Sequence, residues 1–290
     1  MTRVTLVECP RDAWQGLAVP LPTEMKAAHV RSLLAAGFRH IDAVSFVSPK
    51  YVPQMADSES LLRQLAPFPP GVEIIGIVVD RRGLHRAVLM PGVTTIGYPH
   101  SLSERFLRQN ANLSVKASRT LTERLAGWVR EAERSFVVYI SMAFGNPYGE
   151  AWSPDDVVET VEWLGAHAVR TVSLADTAGT ATAERIAALC RDVCRAAPGV
   201  EIGVHLHSRR ESAAEKVLAA FEAGIRRFDG ALAGLGGCPF AHDELVGNIP
   251  TEIVAETLGA RGVDTEIDPA RLDAALAMAQ DIKSRYSGAA

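Results

Sequence analysis

Two histidines separated by one residue, His205 and His207, are the sharpest chemical signal in the sequence. They end an apolar run, Glu201–His207, that is typical of a β-strand, and a strand places alternate side chains on the same face. Two imidazoles about 6–7 Å apart along a strand can bind one cation, because neutral imidazole is a common ligand of zinc and other divalent transition metals. The alternative is a pair of hydrogen-bonded core histidines.

Charged residues that follow other apolar runs favour the metal interpretation. Asp12 comes directly after the first predicted strand and is the candidate third ligand, and Asp176 ends the sixth. A carboxylate ligand widens the candidate cations from Zn to Mn and Mg. Arg11, next to Asp12, is suited to stabilising developing negative charge such as an enolate oxygen, or else it forms an ion pair that only closes the fold.

Two further segments carry weaker signals. Cys238 follows a Gly-rich turn, and glycines allow a segment to approach a ligand closely, so its thiol can exchange a proton there. The alternative is a small buried apolar residue. Arg108 and Asn110 open the segment after the fourth predicted strand and offer a charge and an amide to a phosphate or carboxamide, or else belong to a solvated loop.

The elements that must position these residues alternate along the chain. Eight short Val- and Ile-rich runs predict strands that are buried on both faces of a parallel sheet. Helical patterns lie between them, with capping residues at Gly37, Ser153 and Gly224. This alternation predicts an α/β fold, a (β/α)8 TIM barrel, whose active sites lie at the carboxyl ends of the strands; an open doubly wound sheet is the alternative. The predicted strands are Val4–Glu8, Phe38–Phe46, Val72–Val79, Thr94–Tyr98, Phe136–Ala143, Val169–Leu174, Glu201–His207 and Phe228–Ala233, and the predicted helices include Thr23–Ala36, 153–165, Thr182–Ala197, Ser212–Ala223 and Pro269–Tyr286.

Composition excludes several classes of protein. The chain has 290 residues, 48% of them hydrophobic, and a net charge of −4, so it offers no large basic surface for nucleic acid. No apolar run is long enough to span a membrane, no signal peptide is evident, and four cysteines are too few for a disulfide framework. We therefore expect a cytoplasmic protein with one domain over residues 1–290, comprising a barrel over about 3–260 and a terminal helix over about 268–286.

Several motifs occur in the order and at the spacing of a known family. They are Pro10-Arg11-Asp12, the stretch 45–55, Ser173–Thr177, His205-Leu206-His207, the segment 233–241 around Cys238, and Gly247-Asn248. From about Val4 to Leu258 the chain resembles hydroxymethylglutaryl-CoA lyase, within the metal-dependent lyase and synthase barrels. The resemblance implies cleavage of 3-hydroxy-3-methylglutaryl-CoA, or a closely related 3-hydroxyacyl-CoA, to acetyl-CoA and a 3-oxo acid such as acetoacetate.

The resemblance also implies roles for individual residues. A divalent cation, Mg or Mn with Zn as the alternative, would be held by Asp12, His205, His207 and Asn248. The expected catalytic residues are Arg11, His205, Cys238, Asp42 and Asp176. The expected contacts to the acyl-CoA substrate are Gln15, Ser45, Lys50, Arg108 and Asn110. A homodimer is compatible with the family, although no residue of this chain demonstrates it.

The sequence departs from the family pattern at several positions near the expected site. Asp42 replaces a Glu, Trp14 replaces a Leu and is expected to bring a bulky ring close to the substrate, and Ser208 replaces an Asp. Asn146 stands where the family usually has a Cys, and the segment from Cys238 to Asn248 is one residue longer. Three alternatives stay open. Two are a Claisen-type synthase and an aldolase of the same barrel. The third is a catalytically silent relative that binds acyl-CoA or metal, which the Asp42 and Ser208 departures favour.

Overall fold

The computed structural model describes residues 2–236 and 246–287, and its centre is a closed barrel of eight parallel strands. Neighbouring strands follow one another in sequence order, and the first strand closes the barrel against the eighth. The predicted (β/α)8 barrel is therefore confirmed, and the open sheet is excluded. The strands are β1 Thr5–Glu8, β2 His40–Ser45, β3 Glu73–Ile77, β4 Val93–Ser101, β5 Ser135–Ser141, β6 Thr171–Asp176, β7 Glu201–Leu206 and β8 Arg227–Gly230.

Helices follow each strand and cover the outside of the barrel. Helix bounds agree with the sequence where caps are clear: the helix at 23–36 ends at Gly37, which has a φ of 107°. None of the helices in the described ranges is long and apolar enough to cross a membrane. The helices are α1 Pro10–Gln15, α2 Thr23–Ala36, α3 Ser58–Leu65, α4 Arg81–Val88, α5 Glu104–Ala111, α6 Val115–Glu131, α7 Pro154–Ala166, α8 Ala183–Ala196, α9 Arg210–Glu222, α10 Thr251–Gly259 and α11 Pro269–Tyr286.

Apolar side chains form two layers, and the inner layer is small. The large core lies between the barrel and its helices, whereas a second cluster holds only Val7, Cys9, Ile75, Ile77, Val137 and Tyr139. Charged groups share the buried region: Arg227 of β8 is 4% exposed and lies 3.5 Å from Glu73 and 3.9 Å from Asp229. The barrel thus buries paired charges along with its apolar side chains.

The expectation that the Trp14 ring lies close to the substrate is wrong. Trp14 is fully buried in α1, and its ring centroid lies 5.8 Å from that of His29 on α2, within the layer between helices. Successive residues of an α-helix are about 100° apart, so Asp12 and Trp14 leave α1 on nearly opposite sides. The indole therefore packs against α2 instead of adding bulk to the substrate site.

Candidate active site at the carboxyl rim of the barrel

Three of the predicted metal ligands come together at the rim. Asp12 lies in the first turn of α1, which begins at Pro10 directly after β1, and His205 and His207 lie at the end of β7. Their ligand atoms, one from each residue, all lie within 4.8 Å of one another. Pro10 favours the start of a helix at this position, because the fixed φ of proline suits the first residue of a helix. The carboxylate is thereby placed beside the two imidazoles.

The fourth predicted ligand, Asn248, joins this cluster through its amide. Its Nδ2 donates to Asp12 Oδ2 at 2.8 Å and to the Leu235 carbonyl at 2.9 Å. Its Oδ1 is buried and has no donor among the residues that the structure describes. A buried acceptor without a donor is costly, and a cation would satisfy it. Carboxylate, amide oxygen and two imidazoles fit Mn, Mg or Zn, so the residues present fit a divalent cation.

Backbone pairing holds Asn248 at the rim. Its segment returns to the barrel wall, where Ile249 N donates to the Leu206 carbonyl at 2.8 Å and Ser208 N donates to the Gly247 carbonyl at 3.1 Å. The backbone of Gly247 lies directly against Gly234: a Cβ at position 247 would fall 2.1 Å from the Gly234 carbonyl oxygen. Only glycine permits this approach.

The two imidazoles are oriented by the groups that lie next to their Nδ1 atoms. His207 Nδ1 donates to the Val246 carbonyl at 3.0 Å, which leaves Nε2 free for a ligand. His205 Nδ1 lies 3.7 Å from Asp229 Oδ2, on the neighbouring strand β8. Such contacts on the distal nitrogen orient metal-binding histidines. His207 therefore offers Nε2 to the cluster, and His205 has its Nδ1 near the Asp229 carboxylate.

The electrostatics differ between the two imidazoles. Burial lowers the pKa of His205, but the carboxylates of Asp229 and Asp12 outweigh it and raise that pKa above the ordinary value. Burial and the neighbouring His205 lower the pKa of His207. Burial raises the pKa of Asp12, but Arg11 and the two imidazoles outweigh it and hold that pKa at about 2. The cluster thus combines a carboxylate, a neutral imidazole and an imidazole suited to accepting a proton.

Arg11 is held beside the cluster by carboxylates. Its Nε donates to Asp42 Oδ1 at 3.1 Å, its Nη2 donates to Asp42 Oδ2, and its Nη1 donates to Asp12 Oδ1 at 3.0 Å and to Gln15 Oε1 at 3.2 Å. Burial lowers the pKa of Arg11, but Asp42 and Asp12 outweigh it and raise that pKa, so the guanidinium stays charged. A guanidinium carries five N–H groups, and these bonds use four among the described residues. One N–H remains to meet an oxyanion.

Other predicted site residues make their contacts elsewhere. Asp176 accepts hydrogen bonds from Thr180 N and Ala181 N, each at 3.1 Å, and lies outside the metal-ligand cluster. Ser45 is buried on β2, and its hydroxyl accepts from Val47 N at 3.3 Å. Asp42, by contrast, is brought to the cluster through Arg11.

Three of the five residues expected to contact the acyl-CoA substrate lie on exposed surface. Lys50 is exposed, with its Nζ 5.6 Å from the centre of the Tyr51 ring. Arg108 pairs with Glu104 at 3.0 Å on α5, and Asn110 Nδ2 donates to the Phe106 carbonyl at 2.9 Å. Cys238 lies outside the described residues. These assignments stay predictions.

Sequence reasoning missed several buried polar residues around the cluster. Asp229 accepts from the Ser173 hydroxyl at 2.7 Å, and the Tyr139 hydroxyl is buried without a partner among the described residues. Lys216 of α9 is 6% exposed and pairs with Asp176. A signal for two of them existed, since a charge within an apolar strand (Asp229) or on the apolar face of a helix (Lys216) requires a buried partner.

Fold and site together define a (β/α)8-barrel protein with a candidate divalent-metal centre at the carboxyl rim. Residues 4–278 match the HMGL-like family profile, and the chain belongs to the HMGL-like family. It is 33% identical over 274 residues to the mitochondrial hydroxymethylglutaryl-CoA lyase of Mus musculus, covering 93% of this chain and 82% of that protein.

Two further comparisons agree with this assignment. The chain is 33% identical over 285 residues to the (R)-citramalyl-CoA lyase of Chloroflexus aurantiacus, covering 95% of this chain and 89% of that protein. The crystal structure of hydroxymethylglutaryl-CoA lyase from Pseudomonas aeruginosa superimposes with a TM-score of 0.91 at 31% identity, covering 99% of this chain and 95% of that chain. The resemblance found in the motifs is thereby confirmed over nearly the whole chain.

Proposed function

We propose that this chain is a divalent-metal-dependent carbon–carbon lyase that cleaves a 3-hydroxy-3-methylglutaryl-CoA-like thioester to acetyl-CoA and a 3-oxo acid. The observation that carries the proposal is the cluster of Asp12, His205 and His207, in a chain whose relatives are CoA-ester lyases. The Asn248 oxygen, which has no donor among the described residues, completes the cluster. A divalent cation bound there would acidify a substrate hydroxyl and polarise a carbonyl oxygen. Magnesium and manganese are our first candidates, with zinc as the alternative.

The reaction needs one proton to leave an oxygen and one to reach a carbon. The tertiary hydroxyl gives up its proton to a base, the C2–C3 bond breaks, and its electron pair forms the thioester enolate, which then takes a proton at C2. His205 is the first candidate base, because Asp229 and Asp12 favour its protonated form. A nitrogen that holds the cation cannot also take the proton, so with His205 as the base the cation would be held by Asp12, His207 and Asn248.

Arg11 is positioned for the enolate. Its remaining N–H can donate to the oxygen on which negative charge develops, and Asp42 holds the guanidinium without neutralising it by proton transfer. Replacing Glu by the shorter Asp42 still permits two hydrogen bonds to Arg11. This departure from the family pattern is therefore compatible with activity.

Cys238 is proposed to supply the proton to the enolate carbon. Replacing it by Ser should lower kcat more than it lowers the affinity for Mn²⁺, because a weaker acid takes the place of the thiol while the four ligands are retained. The opposite pattern would make Cys238 a structural residue. Steady-state rates and Mn²⁺ titration of the same preparation measure the two effects.

The decisive experiment combines metal removal with a panel of 3-hydroxyacyl-CoA thioesters. Chelator-stripped protein should release no acetyl-CoA, and addition of Mg²⁺ or Mn²⁺ should restore the release. Full activity in excess chelator would refute the metal assignment. If the metal-loaded protein cleaves no member of the panel, it is a silent relative that binds acyl-CoA or metal.

A second candidate function is cleavage of citramalyl-CoA. It is favoured by the 33% identity to (R)-citramalyl-CoA lyase over 95% of this chain, as extensive as the match to the mouse enzyme. Both reactions release acetyl-CoA, so the other product discriminates them. Formation of pyruvate, detected with lactate dehydrogenase, supports the citramalyl substrate, and formation of acetoacetate supports the first proposal.

Asn110, with Arg108 beside it, is proposed to meet the CoA moiety, and Gln15, Ser45 and Lys50 are proposed to flank the substrate. A combined Arg108→Ala and Asn110→Ala variant should raise KM with little change in kcat, because lost contacts to the non-reacting CoA part of the substrate weaken binding of the ground state and the transition state equally.

We further propose a cytoplasmic location and a homodimer. Cell fractionation measures the first, and light scattering of the full chain measures the second.

A further inference from the structure

Lys216 is a buried ammonium group at the back of the metal-ligand cluster. It lies in α9, on the helix face that also buries Ala213, Val217 and Ala220. Its Nζ donates to Asp176 Oδ2 at 3.3 Å, to the Gly179 carbonyl at 3.3 Å and to the His207 carbonyl at 3.0 Å. An ammonium has three N–H donors, so all three are used.

The three acceptors come from separate segments of the rim. Asp176 ends β6, Gly179 lies in the turn before α8, and His207 follows β7. Lys216 therefore ties two neighbouring strand ends together at the backbone of a predicted metal ligand. The turn at Gly179 also packs closely against His207 and Val246. A Cβ at Gly179 would lie 3.4 Å from His207 Cβ and 2.9 Å from Val246 Cβ.

Both carboxylate oxygens of Asp176 accept hydrogen bonds in this part of the rim. Its Oδ1 accepts from Thr180 N and its Oδ2 accepts from both Ala181 N and Lys216 Nζ. The side chain is 2% exposed, and its partners are a turn and an ammonium group. These contacts suit a residue that holds the backbone in place. Because both carboxylate oxygens already accept hydrogen bonds, Asp176 is poorly placed to exchange a proton with the substrate.

We propose that Lys216 and Asp176 are positioning residues that set the place of His207 and thereby the affinity of the site for a divalent cation. This inference rests on the metal site of the proposed function and replaces the catalytic role that the resemblance implies for Asp176. His207 is then fixed twice, through its carbonyl by Lys216 and through its ring by the Val246 carbonyl. Removing an outer partner of a metal ligand typically weakens metal binding about 10- to 100-fold.

Lys26 provides a matched control. It is also a buried helix lysine, 1% exposed on α2, and it donates to Asp57 at 2.6 Å and to the Gln54 carbonyl. Both acceptors lie in the segment just before α3, and neither belongs to a predicted metal ligand. Lys26→Met and Lys216→Met each remove one buried, hydrogen-bonded ammonium group, and only the second touches His207.

The test is titration of the metal-free full chain with Mn²⁺, followed by the resonance signal of free Mn²⁺, together with thermal unfolding in excess chelator. Both Met variants should lower Tm, but only Lys216→Met should weaken Mn²⁺ binding, by about 10- to 100-fold. Asp176→Asn should weaken it in the same direction, and the Asp176→Asn, Lys216→Met double variant should be no weaker than the Lys216→Met variant. If Lys216→Met does not fold, Lys216→Gln, which retains two donors, is titrated against the same criteria.

Mn²⁺ affinities within about threefold for the parent, Lys216→Met and Lys26→Met would overturn the positioning role. Equal weakening by both Met variants would also overturn it, since general loosening of the fold would then be the cause. A parent protein that binds no Mn²⁺ would instead refute the metal site of the proposed function. The two failures are thereby distinguished.

Discussion

Glu8 offers a quantitative test of the buried electrostatics of this barrel. Its Oε1 accepts from Leu232 N at 2.8 Å and its Oε2 accepts from the Thr251 hydroxyl at 2.5 Å. Burial raises the pKa of Glu8 from 4.5 to about 8, against the opposing effect of those two hydrogen bonds. Glu8→Gln imitates the protonated acid, because its amide keeps an acceptor for Leu232 and gains a donor for Thr251.

The sign and size of the effect follow from proton linkage. Between pH 4.5 and 8 the unfolded chain has released the Glu8 proton and the folded chain still holds it, so raising the pH favours unfolding. This part of the stability is complete below pH 4.5 and is lost by about pH 8. At about 1.4 kcal/mol per pH unit over about 3.5 pH units, the loss comes to about 5 kcal/mol.

Urea denaturation at several pH values between 5.5 and 7.5 measures this loss. The free energy of unfolding of Glu8→Gln minus that of the parent should increase with pH by about 1.4 kcal/mol per pH unit, or about 3 kcal/mol across the range. The m-value should be unchanged. Other titrating groups are common to both proteins and cancel in the difference. Thr251→Val is the control, because it keeps the carboxyl and should therefore keep the pH dependence of the parent. A constant difference between Glu8→Gln and the parent would refute a protonated Glu8.

Two further substitutions test the site. Arg11→Met should lower kcat by about 100-fold or more and the free energy of unfolding by about 3 kcal/mol, because an oxyanion donor is lost and Asp42 is left as an unpaired buried charge. Adding Asp42→Asn should restore the stability and leave kcat low; recovery of kcat would contradict the role of Arg11. Gly236→Ala should weaken Mn²⁺ binding about tenfold, because a Cβ there would lie 2.6 Å from the Asn248 amide nitrogen. Gly71→Ala imposes a similar backbone strain with nothing within 4 Å of the new Cβ, so its Mn²⁺ titration should match the parent; equal weakening in both variants would refute the contact.

Local signals in the sequence predicted most of the fold. All eight strands lie where apolar runs were found, and α2 and α11 have the predicted bounds because their ends carry strong cues, Gly37 after the first and Pro269 at the start of the second. β4 extends three residues beyond the predicted end, to Ser101. Pro99 stands in that extension and, as a residue without an N–H donor, argued against a strand there.

The candidate site was predicted as a set of residue types and only in part as a set of contacts. His205 and His207 share a strand, so their proximity follows from its period, and the common rim of a parallel barrel brings Asp12 to them. The pairs Arg11–Asp42 and Lys216–Asp176 join residues 31 and 40 positions apart, and no local pattern specifies such partners. Trp14 was misplaced because a six-residue helix is too short to show its own periodicity.

The contact of Gly247 with Gly234 bears on how the sequence between these two residues can vary. Gly234 and Gly247 lie against each other at the rim, and Asn248, which follows Gly247, is hydrogen-bonded to Asp12. Where such a contact fixes both ends of a segment, each doubling of the segment's length raises the free-energy cost of closure by only about 0.6 kcal/mol. The number of residues between the two glycines can therefore change in evolution while the predicted metal ligands Asp12 and Asn248 keep their geometry.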